Sequence, residues 1–278
     1  MIRVKPPITY WGGKHFAVPQ LMALVPPRVA VVVSPFIGGG SLEVNLAANG
    51  TNVVAGDVFR PIANFWRVLL DPELNARMRH AIREIEVITA RDWRHMRRQC
   101  DLRPPVESAA WLYIINNHSY CGLMWTSSTY RPRPQRSLAE TDKLADYAGL
   151  PIAIHHADFA RLLKSPSPHS LVFADPPYAI HSRDKRRRYG AAAPPFDHDR
   201  LKTYLKDWKY WILTYGDAPE IREMYEGYPI VRPTHEFTTR FTAPGPKPSD
   251  ELFILSKDLA RIHGELAERT MLKRGGLA

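Results

Sequence analysis

Hydrophobic positions along this chain fall into short continuous runs separated by stretches of helical spacing. Val29-Ala30-Val31-Val32-Val33 is the first, an unbroken, largely β-branched segment of the kind a parallel strand shows when both its faces are covered. The loop from Ser34 to Ser41 follows, then an apolar segment from about Leu42 to Ala48 that Asn49-Gly50 closes as a helix end. Asn52 to Gly56 is a second strand and stops at Asp57. From Arg60 to about Cys100 the spacing is helical, with Phe65, Trp66, Leu69 and Leu70 on one face and Met78, Ile82, Ile85 and Ile88 on another. Ala109 to Asn117 reads as an apolar helix, and Met124 to Tyr130 alternates as one arm of a hairpin. Pro151 to His155, Ser170 to Phe173 and Tyr210 to Thr214 are further strands, with helices over Asp197 to Lys206 and Ile221 to Tyr225. Ile230-Val231 and Leu252 to Leu255 are the last strand candidates. Strands alternating with helices predict an α/β fold, a Rossmann-like doubly wound sheet. The long helical block predicts an inserted, mainly helical domain carrying a hairpin over 59–149, with 1–58 and 150–278 forming the main domain.

Composition changes this picture in one direction. Lys and Arg total 38 against 28 Asp and Glu, a net charge of +10 and a pI of about 9.7. Such an excess suits a polyanionic partner, and a nucleic-acid duplex is the commonest. No helix pairs a clean apolar face with a lysine-rich one, and no run approaches the roughly 20 apolar residues of a membrane span. The first residues, Met1 to Pro6, contain no apolar signal core. Cys100 and Cys121 make neither a disulfide framework nor a zinc spacing. The expectation is a cytoplasmic protein without a metal, a monomer or, as an open alternative, an oligomer. His155-His156 beside Asp158 is not read as a metal cluster, because adjacent strand residues point to opposite faces.

Positive charge is concentrated in Arg91 to Arg98, around Trp93, and in Arg131-Pro132-Arg133-Pro134-Gln135-Arg136, where prolines keep the chain extended. Arg183 to Arg188 and the loop Arg240 to Pro248, with Lys247, are two more basic stretches. Arg91 to Arg98 suits a phosphate backbone or a solvated face, Arg131 to Arg136 could lie along phosphates, reach base edges or be a surface connector, and Arg183 to Arg188 could close over substrate phosphates or be disordered.

Chemistry concentrates in four places. Tyr10-Trp11-Gly12-Gly13-Lys14 puts paired glycines between an aromatic and a lysine, backbone suited to close approach by a ligand or simply to a turn. The loop Phe36-Ile37-Gly38-Gly39-Gly40 joins the first strand to a helix, the nucleotide-binding opening of a doubly wound sheet. It lacks the dinucleotide fingerprint: Glu43 stands where a third small residue belongs, and its charge would repel a pyrophosphate. Asp57, at the tip of the second strand, is placed to take both ribose hydroxyls of an adenosine-bearing cofactor. Ala174-Asp175-Pro176-Pro177-Tyr178 ends a buried strand abruptly, because each proline lacks an N–H and fixes its backbone angle. A carboxylate and a stiff carbonyl can hold an exocyclic amine by both hydrogens, with the tyrosine ring stacking on the base. The same residues also fit a plain strand-ending turn. Asp158-Phe159 could flank an adenine, or could be a helix cap beside a core aromatic.

In this order, Tyr10 to Lys14, Phe36 to Gly40, Asp57 and Asp175 to Tyr178 resemble the Dam-type, D12 class DNA adenine-N6 methyltransferases. The resemblance runs from about Ile8 to Lys257 and includes Asp250-Glu251-Leu252. It implies S-adenosyl-L-methionine as cofactor, held by Tyr10, Lys14, Phe36, Gly38, Gly40, Asp57, Asp158, Phe159 and Asp175. It implies Asp175, Pro176 and Tyr178 as the groups acting on a flipped adenine, and double-stranded DNA as the partner. The DNA contacts expected are Asn117, Tyr120, Arg131, Arg133, Arg136, Arg240 and Lys247. Two departures stand out. Ser34 occupies a position usually acidic in the family, and Cys121-Gly122-Leu123 replaces the usual Asn-Gly-Leu of the recognition segment, which leaves the target sequence open. Cytosine-N4 methylation, transfer to a glutamine amide or RNA, nicotinamide redox chemistry on the same fold, and a silent DNA-binding relative are the competing readings.

Overall fold

The computed structural model describes residues 2–10, 12–85, 88–125, 129–132, 138–178, 196–233, 236–237, 247–248 and 251–264. The predicted strands form one seven-stranded sheet. Its order is β3 (Ile152–His156), β2 (Asn52–Asp57), β1 (Val31–Ser34), β4 (Ser170–Ala174), β5 (Tyr210–Gly216), β9 (Glu251–Leu255), β6 (Ile230–Val231). The first five are parallel, and β9 runs antiparallel between β5 and β6. A separate two-stranded pair joins β7 (Glu236–Phe237) to β8 (Lys247–Pro248). This is the Rossmann-like α/β architecture, with the antiparallel strand of a methyltransferase sheet.

The sequence order explains where a site must lie. β1 pairs with β2 on one side and with β4 on the other. The connections therefore diverge above β1, and the carboxyl ends of β1, β2 and β4 open a crevice at that switch point. β1 and β4 are apolar apart from one serine each, and almost wholly buried, because both faces of the sheet are covered. On one face lie α1 (Val18–Ala23), α2 (Ser41–Ala48) and the helical block α3 (Arg60–Leu70), α4 (Pro72–Arg83), α5 (Ala90–Gln99), α6 (Pro105–Asn117) and α7 (Leu138–Asp142). Trp66, Trp93, Leu112 and Ile115 of that block share a core with Val32 and Val53 of the sheet. On the other face α8 (Phe159–Leu163) and the helices His198–Lys206 and Pro219–Met224 pack with Trp208, Trp211 and Tyr215. Asp71, Asp158 and Asp197 cap the helices they precede, and Thr89 with Asp92 forms a capping box on α5.

Of the arm expected over Met124 to Tyr130, Tyr130 makes one antiparallel bridge, to Ser119, which precedes a 3-10 turn at Tyr120–Gly122. Gly122 has φ of 70°, and a Cβ there would run into the Thr9 carbonyl oxygen, so the turn packs closely on the N-terminal segment. Residues 126–128 of the expected arm lie outside the described residues.

Candidate active site

The glycine loop is shaped by two close approaches. Gly38 has φ of 44° and its Cβ position lies 3.0 Å from the Tyr10 ring; Gly40 has φ of 67° and its Cβ position lies 2.3 Å from the Trp66 ring. Any side chain at Gly40 would collide with Trp66, whose indole N–H donates to the Gly38 carbonyl at 2.9 Å. The loop is thereby pinned between Tyr10 above and Trp66 below. Its amides turn toward β2: Ile37 N–H donates to the Gly56 carbonyl, and Gly38 N–H to Asp57 Oδ2 at 3.2 Å. Asp57 Oδ1 accepts from Phe59 N–H at 2.8 Å. Burial pushes the Asp57 carboxyl up to about 6, against the pull of those two amides and of His156.

Below the same loop lies a second buried carboxyl. Glu43, 2% exposed, accepts from the Ser34 hydroxyl at 2.5 Å and from the backbone at Leu42 and Glu43. Its carboxyl is driven up to about 7, by burial first and also by the charge of Asp175. The acid missing at position 34 therefore has a neighbour on α2, with Ser34 as its donor.

At the end of β4, Asp175 is held from three directions. Lys14 Nζ donates to Oδ2 at 2.8 Å, Thr214 Oγ1 to Oδ1 at 2.6 Å, and the Tyr178 hydroxyl to Oδ1 at 2.8 Å. Lys14 also donates to the Gly12 carbonyl, and it pairs with Glu251 Oε1 at 3.3 Å. Burial alone would lower the lysine, but the Asp175 and Glu251 carboxylates outweigh it and the ammonium is raised. Burial, and then the charges of Asp175 and Glu251, carry the Tyr178 hydroxyl well above its ordinary value. Its ring lies 5.0 Å from Lys14 Nζ and 5.6 Å from the Tyr215 ring. Among the described residues no backbone donor reaches the Pro176 carbonyl.

Phe36 and Phe159 approach to 5.7 Å, and Phe196 closes on both at 5.5 Å, forming an aromatic wall beside the glycine loop. Asp158 takes the structural role left open for it: it accepts from Ala160 N–H at 2.9 Å and from Arg200 at 2.9 Å. Asn117 is buried and its amide donates to the Tyr113 carbonyl at 2.7 Å. Arg131 sits over the Tyr120 ring at 4.6 Å. Trp11, Arg133, Arg136, Asp250, Arg240 and the run Arg183–Arg188 lie outside the described residues, as does the side chain of Lys247.

Three participants were not singled out by motif. Thr214 ends an apolar strand and shows no local sign of a polar task. Glu251 belongs to a segment noted only as part of a resemblance. Asn116 is the third: its amide closes a ring with the Thr9 backbone, receiving Thr9 N–H at 3.0 Å and donating to Thr9 O at 2.6 Å. It ties the end of α6 to the residue preceding Tyr10.

A seven-stranded, mostly parallel sheet with this crevice defines a Rossmann-like methyltransferase fold. The chain belongs to the D12 class N6 adenine-specific DNA methyltransferase family, whose model matches residues 10–99 and 122–239, well over half of the chain. No curated protein gives a significant match. Among the described residues no helix is long and apolar enough to cross a membrane.

Proposed function

We propose that this protein transfers the methyl group of S-adenosyl-L-methionine to the N6 amine of an adenine flipped out of double-stranded DNA. The observation that carries the reading is Asp175. Its carboxylate stands at the end of β4, paired with Lys14 and followed by a Pro-Pro turn, beside the glycine loop of β1.

The residues present fit the cofactor. Asp57, fixed by two amides at the tip of β2, suits a ribose diol, and the glycines let the loop backbone pack directly on Tyr10 and Trp66 at the mouth of the crevice. Tyr10, Phe36 and Phe159 would flank the adenosine, and the cofactor supplies an already activated methyl group, so no covalent enzyme intermediate is needed. Glu43 fills the start of α2 with the chain's own carboxyl, where a phosphate would otherwise be drawn.

The adenine amine is a weak nucleophile because its lone pair is delocalised into the ring. A hydrogen bond to Asp175 and one to the Pro176 carbonyl localise that pair toward the methyl group, so positioning and fixed charge carry the rate. The Tyr178 hydroxyl holds Asp175 Oδ1 in this structure. Its departure frees that oxygen for the amine and releases the ring to stack on the base. Extrusion costs a few kcal/mol, and stacking returns about 1–3 kcal/mol of it.

The segment 59–149 would act as an inserted recognition domain. Tyr120 and Arg131, with Arg133 and Arg136 beyond them, would meet the duplex, and Arg240 and Lys247 would meet phosphates. The test is incubation of the purified chain with unmethylated duplex DNA and labelled cofactor, followed by nucleoside analysis. N6-methyladenine is the expected product; N4-methylcytosine or no methylated base would sink the reading.

A further inference from the structure

Lys14 is shared by two carboxylates, and only one of them faces the amine in the reading above. The other, Glu251, opens β9 and lies outside the family-matched region. The side chains of Lys14 and Glu251 are 3% and 10% exposed. Two carboxylates share one ammonium here, so one negative charge goes unneutralised by Lys14 in a largely water-excluded place, a costly arrangement. Taking up one proton removes that excess.

Resting on the proposed methyl transfer, we propose that Glu251 is the terminal acceptor of the proton the adenine amine gives up, reached through the Lys14 ammonium. In the transfer the N6–C bond forms and the sulfur–methyl bond breaks, its electron pair staying on sulfur. N6 then carries one methyl, two hydrogens and the positive charge. One of those protons passes to Asp175 Oδ1, and rotation of the neutral carboxyl about Cβ–Cγ turns the protonated oxygen toward Lys14. Lys14 gives the proton it shares with Glu251 to Oε1, across 3.3 Å, and regains one from the Asp175 carboxyl beside it, across 2.8 Å. The ammonium and the Asp175 carboxylate are restored, and Glu251 ends as the neutral acid. The path needs no co-reactant. Burial raises the Glu251 carboxyl, Lys14 opposes that rise, Asp175 adds to it, and the net direction is up, as a proton sink requires.

The groups facing Glu251 are Lys14 from the N-terminal loop, Asp175 and Tyr178 from the end of β4, and β5 at Gly216, its register partner. The Tyr178 hydroxyl lies 3.4 Å from Oε1. Glu43 on α2 also titrates near Asp175. The experiment must therefore separate Glu251 from these neighbours.

Glu251→Gln does so. Its amide oxygen still accepts from Lys14 and Tyr178 but cannot take a proton. Single-turnover methyl incorporation, with enzyme in excess over unmethylated bacterial genomic DNA, is followed from pH 5.5 to 9 beside cofactor affinity and a thermal melt. The expected result is a rate at least about tenfold lower, within the range general acid–base groups contribute. The acid limb of the wild type is displaced and cofactor affinity is unchanged. Glu251→Asp keeps the limb and part of the rate, and decides alone should the glutamine variant not fold: loss of the limb with a carboxylate present overturns the proposal. A glutamine variant with the wild-type rate and profile overturns it, as does a slow one whose acid limb has not moved. A wild type that methylates no adenine overturns the underlying reading, and this one with it, without recourse to any variant.

Discussion

The crevice has two halves built on carboxyls, and they surround them differently. On the β2 and α2 side, Glu43 is buried and Asp57 half-buried, and among the described residues neither meets a lysine or arginine. Asp57 rests on backbone amides, Glu43 on amides and a hydroxyl, and burial drives them up to about 6 and about 7. On the β4, β5 and β9 side, Asp175 and Glu251 share Lys14, which stays an ammonium because of them. Amides can hold a neutral ligand's hydroxyls around a carboxyl. An ammonium instead sets a positive charge against the carboxylates that face the reacting group. The difference separates a binding half from a reacting half within one crevice.

Removing Asp175 should break the reacting half most completely. Asp175→Ala is expected to lower methyl transfer by about 10²–10³-fold or more, the scale on which single preorganised groups act. Cofactor and DNA binding are partly kept. A tritiated-methyl assay that finds normal turnover would remove Asp175 from its role. Lys14→Met leaves the buried Glu251 and the half-buried Asp175 without their ammonium and should cost about 2–4 kcal/mol in a urea melt. The loss shrinks as the pH falls and Glu251 takes a proton; an equal loss at pH 5 and pH 8 would contradict the shared-lysine account.

The binding half answers to pH with the other sign. The folded chain keeps the Glu43 proton up to about 7, whereas an unfolded glutamate loses it near 4.5. Between those values the folded state binds more protons, so stability falls as the pH rises and levels off above about 7. Glu43→Gln removes that slope. It should gain about 2–3 kcal/mol over the wild type at pH 8 relative to pH 4, at about 1.4 kcal/mol per pH unit. Parallel melting curves at the two pH values would refute it. Asp57→Asn should weaken cofactor binding by about 10–100-fold, the loss of one charged hydrogen bond. Wild-type affinity should fall below about pH 6, where Asp57 gains its proton, while the variant stays flat by calorimetry. The smallest effect is expected at Asn116→Ala, which frees the Thr9 backbone. About 1–3 kcal/mol of stability is lost, and protection of the Tyr10 to Lys14 segment from hydrogen exchange falls; unchanged exchange would show that the contact carries nothing.

Much of this was legible in the chain because it is local. The β-branched run of β1, the apolar run of β4, the glycine loop before α2 and the Asp-Pro-Pro-Tyr turn are each set within a few residues by side-chain branching, hydrophobicity and missing N–H groups. Asp158 shows where local reading stopped. Both a cap and a place beside an adenine fitted its sequence, and contact with Ala160 and Arg200 established the cap. The packing of Gly122 against Thr9 is non-local in the same way: the two lie more than a hundred residues apart in the chain.

Local pattern alone set the seven strands of the main sheet, the order of the motifs and the residue types gathered for chemistry, and it carried the family resemblance. Only the tertiary structure decided that Lys14 reaches Asp175 across 161 residues, that Thr214 and Glu251 join them, and that Glu43 settles under the loop against Ser34. The physical reason is that charge acts through space. Which carboxyl meets an ammonium, and which meets only amides, depends on strand order and burial, and neither is written in any single stretch of the chain.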